Sequence, residues 1–522
     1  MPPPAPIPPG SRGGEAILSF DRGTLLFRGA GSDRPTDFSG WTWDHRVSAW
    51  RCHAVQYAML REQLRQRHGT LFRDTVRPPL RIHWPKANLP ELRQEQLDAL
   101  AAWEQAGHRG VVVMPTGTGK TEVALAAMLR TRVATLIVAP VRDLMHQWHQ
   151  RIHARLGYDA GIVGDSHRNL QPITVTTYDS AYLHMADLGD RFGLVVFDEA
   201  HHLPGRSYRE AAMLCAAPMR LGLTATPERA DGRDADFPDL IGGIVYRQEI
   251  AHARGKSLAD YEVVRIPVQL EPAEQAAYES AGKTVRNFLM AKREEQKDYD
   301  FTDLCAESGK DPQARRAQKA FFTRKSIEDR AREKLRVLED LFRVHVGERI
   351  IVFAGSNMMA MDISRRFLVP TLLNHSRKKE RRTVLEGFAA GTFPVLVANR
   401  VLDEGVDVPA AKVAIVIGGQ ASARQAKQRL GRILRKSGRS RATLYEIVCQ
   451  DTNEELRSRK RRKSDAYVGT RRGKGPSTIN ANPQVRRKSE IRSTKSETNP
   501  KEENGNVQNR IPESGLRNEC IR

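Results

Sequence analysis

The sequence predicts an α/β protein of two lobes, each built on a parallel β-sheet. A small α+β unit precedes them, a helical insertion separates them and a disordered basic tail follows. Three observations predict this. Runs of β-branched and other apolar residues alternate with amphipathic helical stretches in two separate series, the pattern of strands covered by helices on both faces. A glycine-rich turn joins one such run directly to a helical stretch. Finally, a chain of 522 residues is too long for one hydrophobic core and divides into several folding units.

In chain order, residues 1–14 form a proline-rich leader without the basic-then-apolar layout of a secretory signal. Residues 15–88 form the α+β unit. Ala16-Ile17-Leu18-Ser19-Phe20 and Thr24-Leu25-Leu26-Phe27 flank Asp21-Arg22-Gly23 as a hairpin, and residues 54–64 place Val55, Met59 and Leu64 at near-helical spacing. Residues 89–250 form the first lobe, with strands expected at residues 110–113, 134–138, 173–175 and 194–197. Residues 251–333 read as a helical insertion or linker, of which roughly Glu271 to Glu333 is a highly charged, mostly helical arm with little strand signal. Residues 334–450 form the second lobe, with strands at 349–353, 394–397 and 413–417. Residues 451–522 are rich in Arg, Lys, Ser, Asn and Glu, lack sustained periodicity and read as disordered.

A formal net charge of +22 favours a polyanionic partner such as nucleic acid. Half of that charge lies in residues 457–522, with 18 basic against 7 acidic residues. No apolar run approaches the roughly 20 residues that span a bilayer, so no membrane association is expected. Cys52, Cys215, Cys305, Cys449 and Cys520 are scattered, without the spacing of a zinc site or a disulfide framework, which fits a reducing cytoplasm.

The strongest chemical signal is Pro115-Thr116-Gly117-Thr118-Gly119-Lys120-Thr121, after a predicted strand and before the helical run 122–127. Backbone N–H groups of such a turn can surround phosphate oxygens, Lys120 can neutralise their charge and Thr121 can hold Mg²⁺. Met114 stands where the general pattern has glycine. Asp198-Glu199-Ala200-His201 ends another apolar strand. There Asp198 can hold Mg²⁺ and Glu199 can polarise a water for attack on a γ-phosphate. Alone, such an acidic pair reads as a solvated loop, and the phosphate loop upstream reverses that judgement. His201 and His202 lack flanking partner ligands for a metal. In the second lobe, Gln428, Arg432 and Arg435 recur at helical intervals and share one face. Arginines offered from a second lobe can stabilise phosphoryl-transfer charge once a cleft shuts, which couples closure to hydrolysis.

The ordered set Gln96, Lys120, Asp198 to His201, Thr224-Ala225-Thr226, Asp403-Glu404-Gly405-Val406-Asp407 and Gln428 to Arg435 resembles the DEAH-type second helicase superfamily. Phe197 to Pro204, Arg220 to Arg229, and the N-terminal Arg22-Gly23-Thr24 and Trp43-Asp44-His45-Arg46 are similar to the XPB-like helicases. The resemblance covers residues 15–450 and implies two RecA-like lobes that bind ATP and Mg²⁺. It further implies a damage-recognition-like N-terminal domain and a thumb-like insertion. Arg93 and Gln96 would form an adenine-contacting motif, Thr224 and Thr226 would couple ATP state to strand movement, and Gly405 and Asp407 would face nucleotide and lobe interface. Arg142, Thr177 and Tyr178 occupy the positions where such motors grip the phosphodiester backbone. The family's Arg-Glu-Asp element stands here as Arg229-Ala230-Asp231. The expected activity is ATP-dependent 3′-to-5′ movement on or unwinding of DNA in repair or transcription, in the cytoplasm or on the nucleoid. The rivals are an RNA helicase, the motor of a restriction or phage-defence system with a nuclease partner, and a non-catalytic nucleic-acid-binding protein.

Overall fold

The structure is a computed structural model that describes residues 15–29, 35–229, 231–253, 257, 260–373, 375–399, 411–418, 442–462, 467 and 471–472. Within these residues the chain forms three sheets.

The first sheet comprises β1 (Ala16–Asp21), β2 (Thr24–Arg28), β3 (Thr42–Asp44), β4 (Ala49–His53) and β5 (Phe72–Asp74), in the order β3-β4-β2-β1-β5. β1 and β2 form the hairpin read from the sequence, with Asp21 opposite Thr24. Its two turn residues, Arg22 and Gly23, both have positive φ (46° and 84°), the backbone twist that matches paired strands. Helix α1 (Tyr57–His68) buries Tyr57, Leu60 and Leu64 against this sheet with Leu18, Leu25 and Phe27.

The first lobe is an eight-stranded sheet of β6 (Arg109–Val113), β7 (Thr135–Ala139), β8 (Gly161–Gly164), β9 (His167–Arg168), β10 (Ile173–Thr177), β11 (Leu194–Asp198), β12 (Met219–Thr224) and β13 (Ile244–Arg247). Its order is β13-β6-β12-β11-β7-β10-β8-β9, and all but the β8–β9 pair are parallel. Side chains alternate across a strand, yet both faces are buried. Val112, Ile137 and Val175 enter one core while Val111, Leu136 and Val138 enter the other. That is the physical reason for the uninterrupted apolar runs. Covering helices are α2 (Gln94–Gln105), α3 (Lys120–Thr131), α4 (Arg142–Leu156) and α5 (Tyr178–Leu188), with the short α6 (Arg209–Met213), α7 (Phe237–Leu240) and α8 (Ile250–Ala253). Arg220, fully buried in β12, donates to the carbonyls of Ala217, Ala212, Leu240 and Cys215, and burial pulls its guanidinium down to about 10.

The second lobe is a seven-stranded parallel sheet of β14 (Tyr261–Val268), β15 (Ile350–Ala354), β16 (Thr371–Leu372), β17 (Val395–Ala398), β18 (Val413–Ile417), β19 (Ala442–Cys449) and β20 (Arg471–Arg472), in the order β16-β17-β15-β18-β19-β14-β20. Between β14 and β15 come α9 (Pro272–Glu295), α10 (Phe301–Glu307), α11 (Pro312–Arg330) and α12 (Arg332–Val344), and later α13 (Asn357–Phe367) and α14 (Lys378–Ala390).

Two expectations are corrected here. The linker part of 251–333 carries a strand that was not expected, β14, which inserts beside β19 over eight residue pairs, while the helical arm starts at Pro272, next to the Glu271 read from the sequence. The segment from 451 does not begin as a disordered tail. A helix at Asn453–Arg462 buries Glu454, Ser458 and Arg461, and β20 pairs with β14. These burials hold because each charge is matched: Lys334 Nζ lies 2.8 and 2.7 Å from the two Glu454 carboxylate oxygens, and Arg461 Nε lies 2.6 Å from Glu446. Among the described residues no helix is long and apolar enough to cross a membrane.

Candidate functional site

Five neighbouring strands of the first lobe end along one edge of the sheet, in the order β6, β12, β11, β7, β10. The loop from Met114 to Gly119 follows β6, Thr224 ends β12 with Thr226 just beyond it, Asp198 ends β11, Arg142 follows β7 and Thr177 ends β10. Motif residues scattered over more than a hundred positions thus meet at the carboxyl ends of parallel strands, where open α/β sheets bind ligands.

A cleft of about 440 Å³ at that edge is lined on one side by Thr116, Gly117, Gly119, Lys120 and Thr121, and on the other by Asp198 and Glu199. Gly117 and Gly119 both adopt left-handed backbone (φ 89° and 85°), and α3 starts at Lys120. Lys120 Nζ donates to the carbonyls of Met114 (3.1 Å) and Pro115 (3.4 Å), spanning its own loop. Thr118 faces inward, its hydroxyl donating to Pro115 O at 2.7 Å. Arg93 and Gln96 brace the loop from α2. Gln96 Nε2 donates to the carbonyls of Thr118 (3.0 Å) and Gly119 (3.2 Å), and Arg93 donates to Thr118 O. Gln96 Oε1 in turn accepts from the backbone N–H of Arg93 at 2.9 Å.

Asp198 is held from three sides. Its Oδ1 accepts from Glu199 N at 3.0 Å, its Oδ2 accepts from Trp148 Nε1 at 2.8 Å, and its carbonyl accepts from the Tyr178 hydroxyl at 3.0 Å. Glu199 takes left-handed backbone (φ 47°), a strained position for a non-glycine residue and one that recurs at functional sites. Fully buried His201 lies with Nδ1 3.4 Å from Glu199 Oε2 and 3.0 Å from Thr224 Oγ1. Thr224 Oγ1 is within 3.1 Å of Thr226 O and 3.2 Å of Thr226 N. A polar chain therefore runs from Glu199 through His201 to Thr224 and Thr226. Thr121 Oγ1 accepts from Arg151 Nη1 at 2.8 Å.

Sequence reasoning missed Trp148 and Arg151 as parts of this site, and it read His201 within the acidic motif without its link to Thr224. The three-residue spacing of Trp148 and Arg151 on an amphipathic helix reads as one more packed face, and the link from His201 to Thr224 exists only once β11 and β12 pair. Two expected nucleic-acid contacts are corrected. Tyr178 is buried in the lobe core, its phenol pushed well above the usual range by burial, and Thr177 is buried and caps α5 by accepting from Ser180 N. Their side chains serve the fold rather than an outward surface. Arg142 is exposed and pairs with Asp165 at 2.9 Å. Gly405, Asp407, Gln428, Arg432 and Arg435 lie outside the described residues.

The residues present fit a nucleoside triphosphate with a divalent cation. The two positive-φ glycines open a backbone cradle: a Cβ at Gly119 would lie 2.2 Å from Gln96 Nε2. A hydroxyl and a carboxylate, Thr121 and Asp198, are hard oxygen donors that suit Mg²⁺.

Three family models match the chain in sequence order. They are the Xeroderma pigmentosum group B helicase damage recognition domain at residues 18–76, the Type III restriction enzyme res subunit at 89–229, and the ERCC3/RAD25/XPB C-terminal helicase at 319–468. The DNA 3′-5′ translocase XPB2 of Sulfurisphaera tokodaii is 40% identical over 424 residues, covering 81% of this chain and 96% of that protein. The DNA 3′-5′ helicase XPB of Kineococcus radiotolerans is 31% identical over 379 residues, covering 70% of this chain and 61% of that one. Among solved structures, S. cerevisiae Dbp5 bound to RNA and ADP BeF3 superposes with a TM-score of 0.52 at 16% identity, covering 77% of this chain and 94% of that one, a likeness of fold.

Proposed function

This chain belongs to the XPB family of helicases, and from that premise we propose that it is an ATP-driven 3′-to-5′ DNA translocase or helicase acting in DNA repair or transcription. The observation that carries the proposal is the lining of one cleft by Lys120 and Thr121 from β6–α3 and by Asp198 and Glu199 from β11.

The 114–121 loop and Lys120 bind the β- and γ-phosphates of ATP. Thr121 and Asp198 would hold Mg²⁺, which when bound offsets phosphate charge. Glu199 orients the attacking water and takes up its proton, and its strained backbone aims the carboxylate into the cleft. His201, between Glu199 and Thr224, transmits the state of the cleft to β12. Arg93 and Gln96 fix the loop in its phosphate-binding shape. By the family resemblance Gln428, Arg432 and Arg435 would stabilise phosphoryl-transfer charge, and Gly405 and Asp407 would respond to the nucleotide, so that hydrolysis proceeds when the lobes close. Arg142 and the backbone at the ends of β7 and β10 track the phosphodiester chain, which suits movement independent of sequence. Residues 15–88 form a damage-recognition-like domain ahead of this motor, and the helical arm forms its thumb-like element.

The test is ATP hydrolysis with single-stranded DNA, duplex DNA or RNA as stimulant, beside a Lys120→Ala control. DNA stimulates and RNA does not, and Lys120→Ala abolishes turnover. Stimulation by RNA alone would overturn the choice of DNA, and persistent turnover in Lys120→Ala would overturn the site.

A further inference from the structure

We propose that α4 is a positioning helix for the nucleotide site: through Trp148 and Arg151 it governs the two side chains that would ligate the divalent cation. The inference rests on the nucleotide reading of the cleft and goes beyond it, because neither residue belongs to the phosphate loop or the acidic pair.

Trp148 and Arg151 are three residues apart on α4 and so project from one face of the helix. Trp148 donates to Asp198 Oδ2 and Arg151 donates to Thr121 Oγ1, each at 2.8 Å. The two contacts act oppositely on a dication. Trp148 is 2% exposed and packed in the lobe core, so its indole is fixed and its N–H turns the carboxylate of Asp198 while leaving a negative charge available. Ligand-orienting donors of this kind typically govern metal affinity by about tenfold or more. Arg151 is itself a cation, and it occupies the hydroxyl that Mg²⁺ would take. Two positive charges at one oxygen repel, so Arg151 would give up Thr121 to a bound dication.

The other end of α4 touches the rest of the motor. Its first turn follows β7 at the sheet edge, Arg142 pairs with Asp165 on the β8–β9 turn at 2.9 Å, and Asp143 accepts from Arg381 of α14 in the second lobe at 3.3 Å. A continuous helix of 15 residues links those contacts to the cation ligands, so a shift of its first turn moves Trp148 and Arg151 together.

The experiment titrates magnesium chloride against binding of a fluorescent ADP analogue to the full chain, for wild type, Trp148→Phe, Arg151→Gln and Lys120→Ala. Trp148→Phe raises the magnesium midpoint about tenfold. Arg151→Gln lowers it, because the competing cation is gone. A merely structural role for α4 would move both the same way. Midpoints within twofold of wild type, or shifts in the same direction, overturn the inference. If Trp148→Phe does not fold, Arg151→Gln on the cleft wall decides alone: a lowered midpoint supports the inference and an unchanged or raised one overturns it. If Lys120→Ala binds the analogue as wild type does, the nucleotide reading itself fails. If Lys120→Ala loses binding while both α4 variants titrate like wild type, only the role of α4 falls.

Discussion

Replacing Gly119 by alanine tests whether the backbone shape of the phosphate loop, and not only its lysine, makes the site. Gly119 has φ 85°, and left-handed backbone costs a non-glycine residue about 1 kcal/mol or somewhat more. The added Cβ would lie 2.2 Å from Gln96 Nε2 and 2.9 Å from Glu122 Oε2, closer than van der Waals contact permits. Gln96 must therefore withdraw. With it go the hydrogen bonds to Thr118 O at 3.0 Å and Gly119 O at 3.2 Å, about 1 kcal/mol each. The sum is about 3 kcal/mol. Because the loop lines an open cleft, it relaxes by giving up its cradle, so the loss falls mainly on nucleotide binding, about 100-fold in Kd. Isothermal titration with ADP and magnesium measures this, with a thermal melt alongside. Gly107→Ala is the control: Gly107 also has positive φ (68°), but a Cβ there meets nothing within 4 Å. It carries the same backbone strain with no effect on affinity. Affinity of Gly119→Ala within threefold of wild type would refute the reasoning, as would an equal loss in Gly107→Ala.

The buried pair in the second lobe supplies a stability prediction. Lys334 and Glu454 are both 0% exposed, and Lys334→Met leaves a buried carboxylate that keeps the Cys449 N–H at 2.9 Å but no cation among the hydrogen bonds of the described residues, at a cost of about 3–5 kcal/mol in urea unfolding. Adding Glu454→Leu to that variant recovers most of the loss, and a double variant as unstable as the single one would contradict the account. Truncation separates the ordered helix from the basic tail. Cutting after residue 450 removes Glu454 and Arg461 from their partners and collapses the second lobe. Cutting after 473 leaves basal ATP hydrolysis intact and weakens DNA binding in a salt-dependent way, read by fluorescence anisotropy at two salt concentrations.

What the sequence disclosed follows from which forces are local. Strands whose side chains are buried on both faces announce themselves as continuous apolar runs, and β6, β7, β10, β11, β15, β17 and β18 all lie where such runs stand. The β1–β2 hairpin is legible because Gly23 suits a positive-φ turn between two short apolar runs. β12 and β14 hide for an opposite reason. Arg220 and Gly222 interrupt β12, and Arg265 and Pro267 interrupt β14. Those residues are tolerated by tertiary arrangements: the Arg220 guanidinium is satisfied by four backbone carbonyls, and Arg265 pairs with Glu455 at 3.1 Å. The helix Asn453–Arg462 fails every hydrophobic test, since what it buries is charge. Its partner Lys334 stands 120 residues earlier, and no local pattern encodes that match.

The candidate site divides along the same line. Lys120, Thr121, Asp198 and Glu199 are legible because phosphate and Mg²⁺ chemistry demands particular residue types at the end of a strand, a constraint written within a few consecutive residues. Trp148, Arg151 and His201 act on those residues instead of on a ligand, and their partners are fixed by the order in which strands lie side by side. β12 separates β6 from β11, so the hydroxyl of Thr224 comes within reach of His201 and the acidic pair is tied to the next strand end. β7 lies on the other side of β11, so the helix that follows it, α4, crosses over Asp198 and Thr121. On the proposed reading a motor needs both kinds of residue: the first kind meets the nucleotide, and the second carries the consequence of that meeting to the sheet edge and the second lobe. Substitution of the second kind should therefore alter coupling between DNA and ATP before it alters the chemistry.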